Sequence, residues 1–319
     1  MTRGSYEKGS RRRRQGVALA VAVTSTLVIA LLLPGASSSA AMAGPQCGDT
    51  ITSSLVLTHD LVCSGDGLYV QASSNLTLDL NQHSISGSGG TSVGLDVFFS
   101  TADVTIENGA VSGFGHGIGF DGNGGVNVTL DHLSVNNNGT GVYVPDLEFL
   151  GVVTLSNSMI ARNGGDGVAV GFDSSNFRVV NDHIQGNGRD GIEAGTDSLR
   201  LIADSFIAHN VGDGANLDAT VATVGGNTFL GNGGAGLVIA EDACFFFPFY
   251  DVSDNYAVQN NGGGLEATVS DQPCPGPPGS GNAAQNNSVV QCVMIICAKN
   301  PGQAKQEWSA GPQINHPRP

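Results

Sequence analysis

The chain has 319 residues, of which 47 are glycine, whereas only 13% are charged and 6% are aromatic. This composition suits many tight turns and short buried strands rather than packed amphipathic helices, and no three-residue glycine period indicates collagen. The formal net charge is −15. It becomes −20 without residues 1–43, because these hold six cations and one anion. So negative a charge argues against nucleic acid as a partner.

The N-terminus has the three parts of an export signal. A basic segment at Arg11–Arg14 precedes an apolar stretch at 16–33 and a small-residue pattern at Ala41–Ala43, which together predict a signal peptide over residues 1–43. An uncleaved signal anchor is the alternative, because the apolar stretch is about long enough to span a bilayer. The paired arginines leave both the general secretory and the twin-arginine route open. We expect a secreted or cell-surface protein, without a membrane span after cleavage.

A repeat organises residues 67–298, after a predicted N-terminal cap at 44–66. A glycine precedes each short apolar strand at intervals of 22–28 residues. The first and third residues after each glycine are apolar and are predicted to face the interior, whereas the second is mixed and is predicted to face outward. These glycines are Gly67, Gly94, Gly117, Gly141, Gly167, Gly191, Gly214, Gly236 and Gly264. The pattern predicts an all-β, single-domain parallel solenoid of about nine turns.

An asparagine stands four residues before the glycine in four consecutive turns: Asn163, Asn187, Asn210 and Asn232. Stacked copies of an asparagine can bond their amides to one another and to turn backbone. We therefore predict a structural asparagine ladder at this corner. The glycine that follows is expected to supply the unusual dihedral angles of a sharp turn.

These repeats, between Gly44 and Cys297, resemble those of secreted right-handed parallel β-helix proteins. That broad group includes the pectin-lyase-like proteins and the NosD-like carbohydrate-associated domain, and the segment Leu76–Gly87 is similar to their first coil. The resemblance implies a right-handed coil and extracellular polysaccharide as the ligand. If the protein is an enzyme, the resemblance implies a polysaccharide lyase, a glycoside hydrolase or an epimerase. The alternative is a non-catalytic scaffold that acts through protein–protein contacts.

Six cysteines follow the predicted cleavage point, and an even number in an exported chain favours disulfides. Cys47 and Cys63 bracket the start of the repeat and predict one covalent clip. Cys244 and Cys274 follow their repeat glycines by eight and ten residues, which places them on the same side of adjacent turns and predicts a second. The remaining pair is Cys292–Cys297.

Two excursions interrupt the last turns, and a tail follows them. The aromatic-rich insertion at 242–250 is interpreted either as a cap over the open core or as an exposed contact for a partner. A Pro-rich loop is predicted at 272–281, and the polar residues 299–319 are predicted to be disordered. We expect a monomer.

A column of aspartates is the candidate metal site. Asp166, Asp190 and Asp213 occupy the same corner on three consecutive turns, where like charges about 4.8 Å apart repel one another. A bound Ca²⁺ would relieve this repulsion, and carboxylates are suitable ligands for it. The alternative is that aspartate before glycine is ordinary turn chemistry.

Four arginines fall within two or three turns: Arg162, Arg178, Arg189 and Arg200. Their planar guanidinium groups would suit an anionic sugar. The alternative is that they form salt bridges with the nearby aspartates, which are Asp173, Asp182, Asp190 and Asp197.

The outward strand positions near these arginines supply the remaining candidates. Tyr143, Glu193 and Asn216, together with Arg162, are the candidate substrate-binding residues. Glu193, Asp190 and Arg189, which directly precedes Asp190, are the candidate catalytic residues, because glycoside hydrolysis needs two carboxyl groups separated by about 5 Å or by about 6.5–9.5 Å. His116, in a Gly-His-Gly triplet, occupies an ordinary position of the repeat.

Overall fold

The computed structural model describes residues 44–98, 102–122, 127–146, 151–172, 176–196, 198–218, 222–241, 251–269, 279–293, 295 and 297. The predicted signal peptide, the insertion at 242–250, most of the Pro-rich loop, the tail at 299–319 and the Cys244–Cys274 pair lie outside these residues. The secondary structure of the described residues consists of strands joined by turns and bends. None of these residues lies in a helix long and apolar enough to cross a membrane.

One face of the molecule is an eleven-stranded parallel sheet, which we call the first sheet. Each strand comes from a different turn of the coil, so neighbours in the sheet are about one turn apart in sequence. The strands are β1 (Thr50–Ile51), β4 (Leu68–Gln71), β7 (Val93–Phe98), β9 (His116–Asp121), β11 (Thr140–Val144), β14 (Val168–Val170), β17 (Ile192–Ala194), β20 (Ala215–Leu217), β23 (Leu237–Glu241), β26 (Leu265–Val269) and β28 (Cys292–Val293).

The other seventeen strands form two further parallel faces, which the long strands β8 and β10 join because each runs through both faces. The second sheet contains β2 (Leu55–Val56), β5 (Leu76–Asp79), β8 (Val104–Ser112), β10 (Val128–Asn136), β12 (Val153–Ser156), β15 (Phe177–Val180), β18 (Leu199–Ala203), β21 (Thr223–Gly225) and β24 (Asp251–Ser253). The third sheet shares β8 and β10 and adds β3 (Leu61–Val62), β6 (Ser84–Ser86), β13 (Met159–Ala161), β16 (His183–Gln185), β19 (Phe206–Ala208), β22 (Thr228–Leu230), β25 (Tyr256–Val258) and β27 (Ala283–Gln285).

The register of the first sheet places equivalent repeat residues beside one another. Val142, Val168, Ile192 and Ala215 are successive partners, and all four are fully buried. The first and third residues after the repeat glycines face the interior in every turn, as predicted. The prediction of an all-β parallel solenoid is therefore confirmed. The predicted cap at 44–66 contributes β1, β2 and β3, which continue the three sheets at the N-terminal end.

A buried asparagine ladder runs along the corner before the first sheet. The Asn187 side chain donates through Nδ2 to Asn210 Oδ1 at 2.9 Å, and its backbone N–H donates to the same oxygen at 3.1 Å. The same pair of bonds joins each member to the next, and the last, Asn287, meets Gln291. The members are Asn138, Asn163, Asn187, Asn210, Asn232, Asn260 and Asn287. The ladder is longer than the four asparagines predicted from sequence.

The repeat glycines have a different role from the predicted one. None of them has a positive φ, and the residue with positive φ at this corner immediately precedes each ladder asparagine, as Arg162 (φ 55°) and His209 (φ 56°) do. A Cβ on Gly191 would lie 2.5 Å from the carbonyl oxygen of Gly214 on the next turn. The expectation that these glycines supply the corner dihedrals is therefore wrong: they are required because consecutive turns approach too closely for a side chain.

A second polar column occupies the corner between the second and third sheets. Asp182 lies in it, fully buried, and accepts the N–H of Ser158 at 2.7 Å and of Val180 at 3.0 Å. Burial raises the pKa of this carboxyl well above its usual value. The column consists of Ser158, Asp182, Ser205, Asn227, Asn255 and Asn282.

Disulfides close both ends of the described coil. Cys47 bonds to Cys63 beside the N-terminal strands, and Cys292 bonds to Cys297 beside the last strand of the first sheet. These are two of the three predicted pairs, and no described cysteine is free. Because the outermost strands are only two residues long, they offer little edge for pairing with another chain.

Replacement of a central ladder residue should weaken the coil. Asn210→Ala removes the acceptor of both Asn187 donors, so we expect a loss of about 3 kcal/mol or more in the free energy of unfolding. Denaturant unfolding measures the loss. The exposed, off-ladder replacement Asn261→Ala is the control, with an expected change below about 0.5 kcal/mol. Equal losses in the two variants would contradict a stabilising ladder.

The buried Asp182 should make stability depend on pH. Because its pKa is raised in the folded state, its contribution to stability is full below the ordinary value of 3.8 and is lost as the pH rises through the raised value. Wild type should therefore gain stability relative to Asp182→Asn as the pH falls from about 7 to about 4. Thermal unfolding across this range tests the expectation. The exposed Asp204→Asn is the matched control, and its difference from wild type should not change in this way.

Candidate functional site

The outer face of the first sheet holds a shallow slot formed by three residues in register. Tyr143 on β11, Ala169 on β14 and Glu193 on β17 occupy the same position of consecutive strands. The Tyr143 and Glu193 backbones are thus about 9.6 Å apart, two strand spacings, with only a methyl group between them. We call these three residues the Ala169 slot.

The Tyr143 ring is held in place by the preceding turn. It stacks on the His116 ring with 4.5 Å between centroids and 15° between planes. Gly119, the register partner of Tyr143 on β9, has no side chain to prevent this arrangement. His116 therefore covers one face of the Tyr143 ring. His116, taken from sequence as an ordinary repeat position, therefore orients the tyrosine.

The opposite wall of the slot is a carboxyl pair that shares a hydrogen bond. Glu193 Oε2 accepts Asn216 Nδ2 at 3.0 Å, and the Glu193 carboxyl is also hydrogen-bonded to Asp190. Burial, and then the bond to Asp190 and its charge, raise the pKa of Glu193 to about 7. The assignment of Glu193 and Asp190 as a catalytic pair, with Arg189 beside them, stays a prediction.

The aspartate column is bonded to the backbone of the coil. Asp166 Oδ1 accepts the N–H of Asp190 at 3.1 Å, and Asp190 Oδ1 accepts the N–H of Asp213 at 2.5 Å. Asp213 Oδ1 in turn accepts the N–H of Ala235 at 2.5 Å. Among the described residues, no three His, Cys, Asp or Glu side chains form a group that could hold a metal ion. The Ca²⁺ site stays a prediction without a described set of ligands.

The four arginines do not converge on one site. Arg189 lies beside the slot and pairs with Asp166 at 3.4 Å, with two thirds of its own side chain exposed. Arg178 and Arg200 lie on β15 and β18 of the second sheet, and Arg162 follows β13 at the ladder corner. Among the proposed salt-bridge partners, Asp182 is buried in the second polar column, and Asp173 and Asp197 lie outside the described residues.

Phe172 is a residue of this face that the sequence analysis missed. It follows β14, is 53% exposed, and its ring edge lies 3.1 Å from the point where a Cβ on Gly195 would stand. Gly195 is two residues after Glu193 and therefore on the same side of the strand. The ring thus covers the Gly195 backbone beside Glu193. A large apolar residue directly after a short strand was the available signal.

Residues 94–261, more than half of the chain, match the family described as the right-handed β-helix region. Two solved structures are similar. One is a point mutant of the periplasmic alginate epimerase AlgG, with 14% identity and a TM-score of 0.48 over 73% of this chain. The other is the A-module of the Azotobacter vinelandii mannuronan C-5 epimerase AlgE4, with 14% identity and a TM-score of 0.37 over 79% of this chain and 90% of that one. No curated protein matches the chain.

The chain spans 62% of the length of the AlgG structure. At this level of similarity, we draw no functional conclusion from either epimerase. The family match supports the right-handed coil, whereas the narrower resemblance to pectin-lyase-like and NosD-like proteins stays a prediction.

The carboxyl pair should respond to removal of its partner. Asp190→Asn eliminates the charge that raises the pKa of Glu193, so this pKa should fall from about 7 toward its ordinary value of 4.5. Carboxyl-detected NMR titration measures the shift. Asp166→Asn should cause a smaller fall, because Asp166 acts on Glu193 through its charge alone. If Glu193 titrates unchanged in Asp190→Asn, then Asp190 does not raise the pKa of Glu193.

Proposed function

Because the chain belongs to the right-handed β-helix family, and because its first sheet leaves a flat outer face, we propose that this protein binds an extended polysaccharide on that face at the Ala169 slot. The observation that carries the proposal is that two aromatic residues flank Glu193 on this face: Tyr143, two strands away in register, and Phe172, beside Gly195 at the end of β17. Ala169 forms the floor between Tyr143 and Glu193. Sugar sites of proteins commonly combine apolar and aromatic surface with a few placed polar groups.

The rings supply the apolar part of the recognition. The face of a sugar ring carries aliphatic C–H groups, which can lie against an aromatic face and remove both from water. Tyr143 is suited to this role because His116 holds its ring flat against the preceding turn. An aromatic side chain that is already ordered loses little conformational entropy on binding.

The polar groups determine the orientation of the bound sugar. Glu193 and Asn216 are hydrogen-bonded to each other and lie on adjacent strands, so their free donor and acceptor positions present a fixed pattern to sugar hydroxyls. The Asp190 carboxyl, bonded to Glu193, extends the polar wall toward the corner. Glu193 and Asn216 are held rigidly because they sit on β17 and β20, and the Asp190 carboxyl is fixed by the N–H of Asp213 that it accepts.

The residue at position 169 determines how much space a polymer finds between Tyr143 and Glu193. Ala169 presents only a methyl group, which leaves a groove between the Tyr143 and Glu193 side chains. The groove ends at Gly171, where Asp146 of the preceding turn fills the space that a side chain would take. A side chain as large as its neighbours at position 169 would fill this groove.

The proposal places the protein outside the cytoplasm. Two disulfides close the described coil, and such bonds persist in oxidising compartments. The predicted signal peptide agrees with this placement. Extracellular or envelope polysaccharide is then the accessible ligand.

The proposal is for binding rather than for hydrolysis by the pair Glu193 and Asp190. Asp190 is engaged in the coil, because its Oδ1 accepts the backbone N–H of Asp213 on the next turn. A lyase or epimerase reaction would need a base and a group that neutralises a sugar carboxylate. Beside the slot, the only described arginine is Arg189, and it already pairs with Asp166.

Removal of the slot aromatics should weaken polysaccharide binding. We expect Tyr143→Ala and Phe172→Ala each to reduce affinity about tenfold, because each removes roughly 1.5 kcal/mol of stacking and apolar contact. A glycan array identifies the ligand, and affinity electrophoresis measures the loss. Ala169→Leu should also weaken binding by filling the groove. Tyr69→Ala, on the same outward column but three turns earlier, is the control. Failure of wild type to bind any polysaccharide would refute the proposal.

A further inference from the structure

The charge around the Ala169 slot is negative and extends over several turns. The Asp190 charge raises the pKa of Glu193 and of Asp213, and the Asp213 charge in turn raises the pKa of Glu266, in each case in addition to burial. These carboxyl groups therefore act on one another along the outer face. The cation beside them, Arg189, is paired with Asp166.

The slot thus joins an aromatic surface to closely spaced carboxyl groups. A sugar that carries a carboxylate would be repelled here, because each added anion lies within a few ångströms of others in a partly desolvated site. A sugar that carries an ammonium would relieve the existing repulsion. Asp190 and Asp213 occupy the same corner of consecutive turns and therefore follow the turn spacing of about 4.8 Å, a step close to the length of one sugar unit.

Resting on the polysaccharide binding proposed above, we propose that the polymer is an amino-sugar polysaccharide with free amino groups. One sugar ring stacks on Tyr143 over Ala169, and its ammonium group lies against the carboxyl groups of Glu193, Asp190 and Asp213. Glu193 and Asp190 stand on one turn and Asp213 on the next, at one edge of the slot. A polyuronate, whose sugars carry carboxylates, should be repelled by the same acids.

Binding of an ammonium group should release a proton from the site. Glu193 faces Asp190 and Asp166, its neighbour on β20 is Asn216, and Arg189 stands at the corner. Because burial, with the neighbouring Asp190, raises the pKa of Glu193 to about 7, the Glu193 carboxyl carries a proton at about pH 6 in the free protein. The positive charge of a bound ammonium group lowers this pKa, and the proton displaced from Glu193 goes to the buffer.

Three oligosaccharides of equal length show whether the protein prefers a cationic, a neutral or an anionic sugar. They are a glucosamine oligomer, its fully N-acetylated counterpart, and a uronate oligomer, each titrated calorimetrically into the protein at about pH 6, where the amine is charged. We expect the glucosamine oligomer to bind about tenfold more tightly than the acetylated one and to weaken as salt is added. When the titrations are repeated in buffers with different ionisation enthalpies, only binding of the glucosamine oligomer should release protons.

The matched variants are the double replacement of Asp190 and Asp213 by asparagine, and Tyr143→Ala. Asparagine keeps the Oδ1 acceptor that each aspartate offers to the backbone of the next turn, so the coil should fold normally, as circular dichroism can verify. The double variant should lose the preference for the amine and the proton release. Tyr143→Ala should weaken both glucosamine-based ligands.

The outcomes distinguish the two proposals. Equal binding of the amine and its acetylated counterpart, or the tightest binding by the uronate oligomer, would overturn the amino-sugar inference and leave polysaccharide binding intact. Binding of the amine that Tyr143→Ala does not weaken would also overturn it, because the contact would then lie outside the slot. If no oligomer binds and a glycan array is blank, the proposed function itself fails.

Discussion

The buried asparagine ladder holds each turn of the coil against the next. Each ladder asparagine accepts two hydrogen bonds from the preceding copy, through its backbone N–H and its side-chain amide, and donates to the following one. A shift of one residue between turns would break both bonds and would also move the interior residues of that turn to the outside. The ladder therefore fixes the register, and the register fixes which outward side chains become neighbours.

The candidate site follows from that register. Tyr143, Ala169 and Glu193 are 24 to 26 residues apart in sequence and meet only because their strands are in phase. The same stacking places Asp166, Asp190 and Asp213 above one another, where their charges repel. The coil accommodates this arrangement with a backbone N–H donor for each carboxylate of the column. Burial and the neighbouring Asp190 raise the pKa of Glu193 to about 7. A regular solenoid thus concentrates like charges on one face, and this concentration also narrows the class of ligand that the face can accept.

Residues that the repeat leaves variable carry the distinctive chemistry. The outward position is tyrosine, alanine and then glutamate on three consecutive strands, whereas the inward positions on either side stay apolar. Inward positions are constrained by close packing in a narrow core, and outward ones are free of that constraint. The second polar column shows an intermediate case: serine, aspartate and asparagine all occupy it, because any short side chain with an acceptor can receive the N–H of the preceding turn.

The repeat spacing by itself predicted the parallel coil, the inward columns and the asparagine ladder. The position of Cys47 and Cys63 at the start of the repeat predicted one disulfide, and Cys292–Cys297 was the pair that remained. These depend on local period and on short separations within or between turns, which a sequence displays directly. Only the tertiary structure decided that Tyr143 stacks on His116, that Phe172 covers Gly195, that Asp182 is buried, and that the four arginines face different ways. It also corrected the role of the repeat glycines, which admit the carbonyl of the next turn. These features depend on the direction and distance of side chains between neighbouring turns, and a period in sequence specifies neither.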